Sequence, residues 1–295
     1  MSFGKIVRDI KALKIQGAEN IARNAVLAIK HVLGKNKSRT AAELEKKLKA
    51  CRKILEDARP TEPCMRNALK YIFSGSMTKD EVNKRIKLAI KHFDTSLKRI
   101  ASIGARKIKN GMIVYTHCHS STVTAILKEA KAQGKRFEVH NTETRPKYQG
   151  RITAKELAKA GIPVTHYVDS AAMIALEKAD IMLIGADAIT SVGQVINKIG
   201  SELISEAAKE HSVLIYVCAD SWKLDPKTVY GFEEVIEERA KEEVWPKAPK
   251  KVKIFNPAFE TVRPDIITAL ISELGVYKPE IFVSEVKKEY PWMFT

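Results

Sequence analysis

Cysteine is scarce in this chain: four in 295 residues, at Cys51, Cys64, Cys118 and Cys218, with no CxxC spacing. That excludes a disulfide framework and a zinc knuckle, so any special role for a cysteine has to be individual. Long apolar runs are also missing. No stretch could cross a bilayer or act as a secretory signal, so a cytoplasmic protein with no membrane partner is expected. The first strand is not followed by GxGxxG and GxxxxGK[ST] does not occur, which removes the dinucleotide and ATPase fingerprints; no cofactor is expected. Aromatic residues make up 7% and do not interleave with basic clusters, which argues against a single-strand nucleic-acid platform. Acidic residues are the other shortage. Lys and Arg number 51 against 35 Asp and Glu, a formal charge of +16, which suits an anionic ligand, an acidic protein partner or nucleic acid without choosing among them.

What is present divides into two textures. Ile21, Ala25, Ile29 and Leu33 keep helical spacing from Gly17 to Leu33. A second helix is predicted from the N-cap Thr40 through Leu44, Leu48, Cys51 and Leu55, and a short third one carries Cys64, Ala68 and Tyr71. From Asp80 to Gly104 there is no glycine or proline, and Val82, Ile86, Ile90, Phe93, Leu97 and Ile100 form one stripe, the pattern of a long amphipathic helix. After Gly111 short apolar runs alternate with helices. Strands are predicted at Met112–Tyr115, Phe137–Asn141, Val164–Val168, Ile181–Ile184, Val213–Cys218, Val252–Phe255 and Ile266–Ala269, and helices at Thr122–Gln133, Thr153–Ala160, Ser170–Lys178 and Ile196–Glu210. Repeated βα units with continuous apolar strands imply a mostly parallel sheet covered on both faces. The expected fold class is therefore α/β, with a helical N-terminal domain over residues 1–108 and a Rossmann-like C-terminal domain over 109–295. The charged stretch between Gly231 and Pro249 reads as a surface insertion in preference to a lid.

The chemistry gathers behind the strands. Asn110 to Arg136 reads strand, polar loop, helix, with Thr116-His117-Cys118-His119-Ser120-Ser121 at the turn. In a parallel sheet such loops converge on the carboxyl edge, the usual place for a ligand. Thr142 to Pro146, Asp169-Ser170, Gly185-Ala186-Asp187 and Ala219-Asp220-Ser221 follow strands in the same way, and Asn197-Lys198 comes after a glycine-containing turn. An open edge and a helix amino terminus would favour a Cys118 thiolate. Asp187, kept protonated in a dry pocket, would be an acid to match that base. The plain counterparts are an inert cysteine and a capping aspartate, and spacing alone leaves both open. Cys51 and Cys218 read as packing residues. His117 and His119 alternate across an extended loop and cannot share one pocket, so no metal site is expected. Arg145, Lys147, Arg151 and Lys198 are suitable phosphate ligands; Arg145, beside Pro146, is the strongest candidate, and solvated surface charge is the counterpart for Lys147 and Arg151. Gly150 and Gly185 would allow close backbone approach.

The segments YTHCHSS (Tyr115 to Ser121), TETRPKYQGRITAKEL (Thr142 to Leu157), IGADAI (Ile184 to Ile189) and VINKIG (Val195 to Gly200) resemble a superfamily over nearly the whole chain. It comprises the regulatory subunits of translation initiation factor 2B, the methylthioribose 1-phosphate isomerases and the archaeal ribose 1,5-bisphosphate isomerases. The resemblance implies a helical first domain, a Rossmann-like second one and a substrate held between them. It implies that Cys118 and Asp187 are the catalytic pair, of which the regulatory subunits usually lack the cysteine. His119-Ser120 resembles the bisphosphate isomerases, where methylthioribose enzymes carry Asn-Thr/Ala-Gly. Substrate contacts implied by the resemblance are Gln16, Gly17, Arg59, His119, Ser120, Arg145, Asn197 and Lys198. Gln16 stands where the family carries arginine before Gly17, and Ser121 stands where lysine often follows His-Ser; each exchange removes a cation. The reading that follows is isomerisation of ribose 1,5-bisphosphate to ribulose 1,5-bisphosphate in archaeal nucleotide salvage, on a phosphorylated sugar, with a nucleotide activator allowed and a homo-oligomer, dimer or hexamer, expected. The rival readings are a regulatory subunit that binds initiation factor 2 and a methylthioribose 1-phosphate isomerase.

Overall fold

The computed structural model describes residues 1–295 apart from Met1, Asn36, Lys37, Arg39 and Val235. Five helices come first: α1 (Phe3–Lys11), α2 (Ala18–Gly34), α3 (Ala41–Ala58), α4 (Pro63–Ile72) and α5 (Lys79–Ala105). Thr40 caps α3 as its sequence suggests, its Oγ1 accepting the Glu43 backbone N–H at 3.2 Å, and Thr78 does the same for α5 toward Glu81 at 3.4 Å. The stripe of α5 is buried as the pattern requires, with Val82, Ile86, Phe93 and Ile100 at most 1% exposed. No helix among the described residues is long and apolar enough to cross a membrane.

Then come β1 (Ile113–Thr116), α6 (Ser121–Ala132), β2 (Glu138–Thr142), α7 (Gln149–Lys159), β3 (Val164–Tyr167), α8 (Ala172–Leu176), β4 (Ile181–Ile184), β5 (Ala188–Ile189), β6 (Val195–Lys198) and α9 (Ser201–Glu210). The chain closes with β7 (Leu214–Cys218), β8 (Phe259–Val262), β9 (Ala269–Ser272), β10 (Gly275–Tyr277) and α10 (Pro279–Glu289). The main sheet has seven strands in the order β10-β9-β7-β4-β1-β2-β3, all parallel except β10 against β9. This is the Rossmann-like arrangement, with the carboxyl ends of β1, β2, β4 and β7 opening to one side. A small antiparallel sheet, β5-β6-β8, stands beside that edge.

Three sequence expectations need correction. The helix placed at Ile196–Glu210 begins only at Ser201, because Val195 to Lys198 pair with β8 and Gly200, at φ 98°, turns the chain first. Val252–Phe255 forms no strand, and Phe255 is 77% exposed. The last predicted strand lies three residues later, at Ala269–Ser272, after a 3-10 turn at Pro264–Ile266. α1, β5, β8, β10 and α10 are further elements outside the sequence expectations.

Two contacts fix how the helices meet the sheet. Gly104 of α5 lies so close to α6 that a Cβ would come within 2.5 Å of Ile126. On α4, the buried Asn67 donates both amide hydrogens across the interface, to Trp222 O at 2.8 Å and Leu224 O at 2.7 Å. Next to it Trp222 stacks on His92 of α5 with ring centroids 3.9 Å apart. Asn67→Ala leaves two carbonyls without partners in a dry interface, so we expect a loss of about 2 to 4 kcal/mol by urea denaturation. A loss below about 0.5 kcal/mol would show that these bonds do not hold the interface.

Candidate active site

Cys118 follows β1 with φ at +66°, and Thr144 and Tyr148 in the loop after β2 are also left-handed, at 63° and 59°. Non-glycine residues in this region store roughly 1 kcal/mol or more each and persist where the surroundings over-determine them. Here the ties are visible. The Cys118 N–H donates to Thr144 Oγ1 at 3.0 Å, and Thr153 Oγ1 of α7 donates to Cys118 O at 2.8 Å. Asp169 clamps the neighbouring loop by accepting the N–H of Thr144 at 2.7 Å and of Arg145 at 2.6 Å. Gly150 allows that loop to close, since a Cβ there would lie 1.8 Å from Thr142 O.

The two histidines diverge. His117 is buried beneath the sheet edge in a chain running from Tyr115 OH to Thr142 Oγ1 at 3.2 Å, Thr142 to His117 Nδ1 at 2.9 Å, and His117 Nε2 to Ile199 O at 3.0 Å. A carbonyl only accepts, so the hydrogen sits on Nε2. Burial lowers the His117 pKa, which keeps the ring neutral. His119 turns to α7, with Nδ1 3.1 Å from Thr153 Oγ1 and Nε2 3.9 Å from Glu156. Ser120 caps α6, its Oγ accepting the Val123 N–H at 3.3 Å, and packs on Gly185, where any Cβ would come within 2.8 Å of that oxygen.

Cys118, Asp187, Lys198 and Arg59 share one electrostatic neighbourhood. Asp187 sits between β4 and β5, its N–H donating to Ile196 O at 2.8 Å. Burial raises its pKa, opposed by Lys223, Lys198 and Arg59 and reinforced by Glu237. The carboxyl is thus biased toward its protonated form. Cys118 does not match its sequence expectation. Burial pushes the thiol up to about 11, Lys198 pulling it down and Asp187 pushing it further up, so the resting side chain is a thiol, where helix and edge position had suggested a thiolate. Lys198 lies over the Phe259 ring at 4.5 Å, and Asn197 is buried with its amide on Ser201 Oγ at 2.9 Å.

Other predicted residues stand apart. Gln16 and Gly17 are exposed, and the Gln16 amide is used on Leu13 O at 2.7 Å. Arg145, joined to Pro146 by a cis bond, is exposed, donating to Tyr148 OH at 2.6 Å and Val244 O at 3.0 Å. Arg151 pairs with Glu143 at 2.7 Å, and Lys147 with Glu243 at 3.1 Å. Asp220, read as one more sheet-edge loop residue, is held by His92 at 3.1 Å and the Trp222 N–H at 2.9 Å, and so belongs to the helix–sheet junction.

Three residues at the site carry no signal in the motifs. Lys223, 7% exposed, donates to Ala186 O at 2.6 Å, directly before Asp187. Glu62, 2% exposed, meets Arg59 at 3.3 Å. Glu237 meets the other side of Arg59 at 2.9 Å. The segment after Gly231, expected to be a plain surface insertion, therefore reaches the site cations. A cavity of about 510 Å³ lies beside it, lined by Lys11, Arg59, Arg66, Lys227, Glu234 and Glu237 among others. Charged residues next to proline at Glu62 and two positions after a strand-end turn at Lys223 were the available signs.

The profile of the initiation factor 2 subunit family matches residues 14–279. A ribose 1,5-bisphosphate isomerase of Pyrococcus furiosus is 40% identical over 98% of this chain and 94% of its own, and one of Thermococcus kodakarensis 38% over 98% and 94%. A crystal structure of a Pyrococcus horikoshii protein, described as translation initiation factor eIF-2B, superposes with a TM-score of 0.85 at 28% identity, over 95% of this chain and 98% of that one.

The raised thiol makes a direct prediction. Alkylation of Cys118 by iodoacetamide, followed by peptide mass spectrometry, should be slow at pH 7 to 8 and accelerate toward pH 11. Lys198→Ala should slow it further, because the cation that favours the thiolate is gone. A rate already at its plateau at neutral pH would contradict this electrostatic picture.

Proposed function

Because the chain belongs to the initiation factor 2 subunit family, we propose that it catalyses the isomerisation of ribose 1,5-bisphosphate to ribulose 1,5-bisphosphate, an aldose–ketose conversion in nucleotide salvage. The observation that carries this reading is the placement of Cys118 and Asp187, both half-buried, in one electrostatic neighbourhood with Lys198, Lys223 and Arg59, in a chain alignable almost end to end with bisphosphate isomerases. The substrate is a phosphorylated sugar. Residues 1–108 are the proposed helical domain and 109–295 the Rossmann-like one, with the sugar between them. A cytoplasmic location and a homo-oligomer, dimer or hexamer, go with the reading; nucleotide activation is compatible with it, and initiation factor 2 belongs to the rival.

In the proposed mechanism Asp187, held protonated by burial, donates its proton to the ring oxygen as the furanose opens. Loss of that proton leaves a carboxylate beside Lys198 and Lys223, whose charges offset it. In the enediol route Cys118 then removes the C2 proton and returns one to C1. Its raised pKa puts a cost on that route, since the thiol must first ionise and the Lys198 charge offsets only part of the effect of burial. The same observation favours a second course for this step: a 1,2-hydride shift, in which Cys118 shapes the wall against the migrating hydrogen and no base is needed at C2. Arg59, Lys198 and the amides at Ser120 are the proposed phosphate contacts, while Arg145, His119 and Asn197 complete the sugar pocket. Gln16 and Gly17, exposed here, would join only when the helices close over the substrate. Arg59 is paired with Glu62 and Glu237, so a phosphate has to displace a carboxylate to reach it.

Phosphorus NMR of the purified protein with α-ribose 1,5-bisphosphate should show ribulose 1,5-bisphosphate accumulating, with and without added AMP. Asp187→Asn and Cys118→Ser should each lower kcat by roughly 10² to 10⁴. Turnover of 5-methylthioribose 1-phosphate in place of the bisphosphate, or no turnover of either sugar, would overturn the reading.

A further inference from the structure

Asp187 is carried on a short stretch of chain, since β5 directly after it is only Ala188–Ile189, too brief to fix the segment by its own ladder. What holds the stretch is the turn that follows β7, which grips it at both ends. At one end Lys223 Nζ donates to Ala186 O at 2.6 Å, while the N–H of Asp187 donates to Ile196 O at 2.8 Å. The peptide group between Ala186 and Asp187 is therefore bonded through both its carbonyl and its N–H. At the other end the Asp225 N–H donates to Ile189 O at 2.8 Å, and Leu224 bridges to Ile189 beside it. Lys223 and Asp225 are both buried.

The turn is held from the other side by α4. Asn67 donates to Trp222 O and Leu224 O, the carbonyls on either side of Lys223. Arg66, the residue before it, pairs with Asp225 at 3.0 Å. A lysine side chain has many rotamers to lose, and it stays on one carbonyl only where its own backbone is fixed. Asn67 fixes that backbone. Both of its amide hydrogens are spent on the turn, so it has no donor left for a ligand.

We propose that Asn67 is a positioning residue for the acid: through the turn Trp222–Asp225 it transmits the seating of α4 to Asp187, which is aligned for proton donation only while that helix is docked. The consequence for turnover rests on the isomerase reading; the mechanical link is a chain of hydrogen bonds. Misplacing a reacting group by about 1 Å costs roughly 10²-fold in rate. With the sugar entering between α4 and the sheet edge, the link makes the acid ready when the helices are closed over the substrate and slack when they are apart.

The test compares the full-length parent, Asn67→Ala and Leu48→Ala. The last removes a fully buried side chain from α3, one with no bond to the turn, and costs stability of the same order. All are assayed with ribose 1,5-bisphosphate at a temperature where circular dichroism shows each to be folded. Asn67→Ala should lower kcat roughly 10- to 100-fold with KM changed less than about twofold, whereas Leu48→Ala should keep kcat within about threefold. Hydrogen exchange, read by mass spectrometry on the peptide containing Ala186 to Ile189, supplies a readout that needs no turnover. Exchange there should be about tenfold faster in Asn67→Ala than in Leu48→Ala. Should Asn67→Ala fail to fold, Asn67→Ser, which can keep at most one of the two bonds, takes its place with the same expected split. Equal kcat and equal exchange in the two variants is what a merely stabilising residue gives, and overturns the proposal, as does either change without the other. A parent protein without turnover refutes the isomerase reading itself, and the exchange comparison then still decides the link.

Discussion

The docking of α4 on the sheet edge is the constraint on which the rest depends. Asn67 holds that helix by two bonds to the backbone of Trp222 and Leu224, and the residues just before it, Arg59 at the C-cap of α3 and Glu62 at the N-cap of α4, are thereby carried into the electrostatic neighbourhood of Asp187. The link is backbone-directed on one side, so the register of α4 against the turn is set by geometry that side-chain repacking cannot easily shift. Beside it, His92 and Asp220 form a buried pair, reinforced by the stack of His92 on Trp222. Burial alone would lower the His92 pKa, but Asp220 more than reverses it. The helical layer and the sheet thus meet through polar groups that are satisfied only in one relative placement, which is how residues far apart in sequence come to share one chamber.

Within that chamber the protein balances its own charge. Lys198, Lys223 and Arg59 stand against Asp187, Glu62 and Glu237, in a chain whose surface is strongly basic overall. Buried cations without partners would be expensive, and carboxylates supply the partners until a ligand does. The acids from the segment after Gly231 are well suited to this. Glu237 meets Arg59, Glu243 meets Lys147 and Arg239, and Glu234 meets Arg66, so one exposed stretch neutralises cations on both sides of the site. In the proposed function a phosphorylated sugar would bring the same charge and exchange one set of ion pairs for another.

Much of this was legible in the sequence for identifiable reasons. The α5 stripe has no glycine or proline across some seven turns, and the strands β1, β2, β4 and β7 are apolar runs bounded by polar loops, so length and periodicity decide them. The small sheet was harder. Ile196 to Lys198 reads as the start of a helix because its pairing partner, Phe259 to Thr261, lies some sixty residues on, where no local pattern can show it. Among the candidate site residues, Cys118 and Asp187 are legible because they follow strands, and Asn197 and Lys198 because they come after a glycine-containing turn. Glu62, Lys223 and Glu237 are not, since what brings them in is the docking of α4 and the path of the segment after Gly231, both long-range. The protonation state of Cys118 was misjudged for the same kind of reason: position at a helix start favours a thiolate, but the extent of burial, visible only in three dimensions, outweighs it.

The proposed substrate site lies between α4 and the sheet edge, where binding comes at the expense of the carboxylates now on Arg59. A crystal structure of the Cys118→Ala protein with ribose 1,5-bisphosphate tests it most directly. The expected result is a phosphate on Arg59 with Glu237 withdrawn, and the furanose ring oxygen within hydrogen-bond distance of Asp187. A sugar bound elsewhere, with the Arg59–Glu237 pair intact, would contradict it.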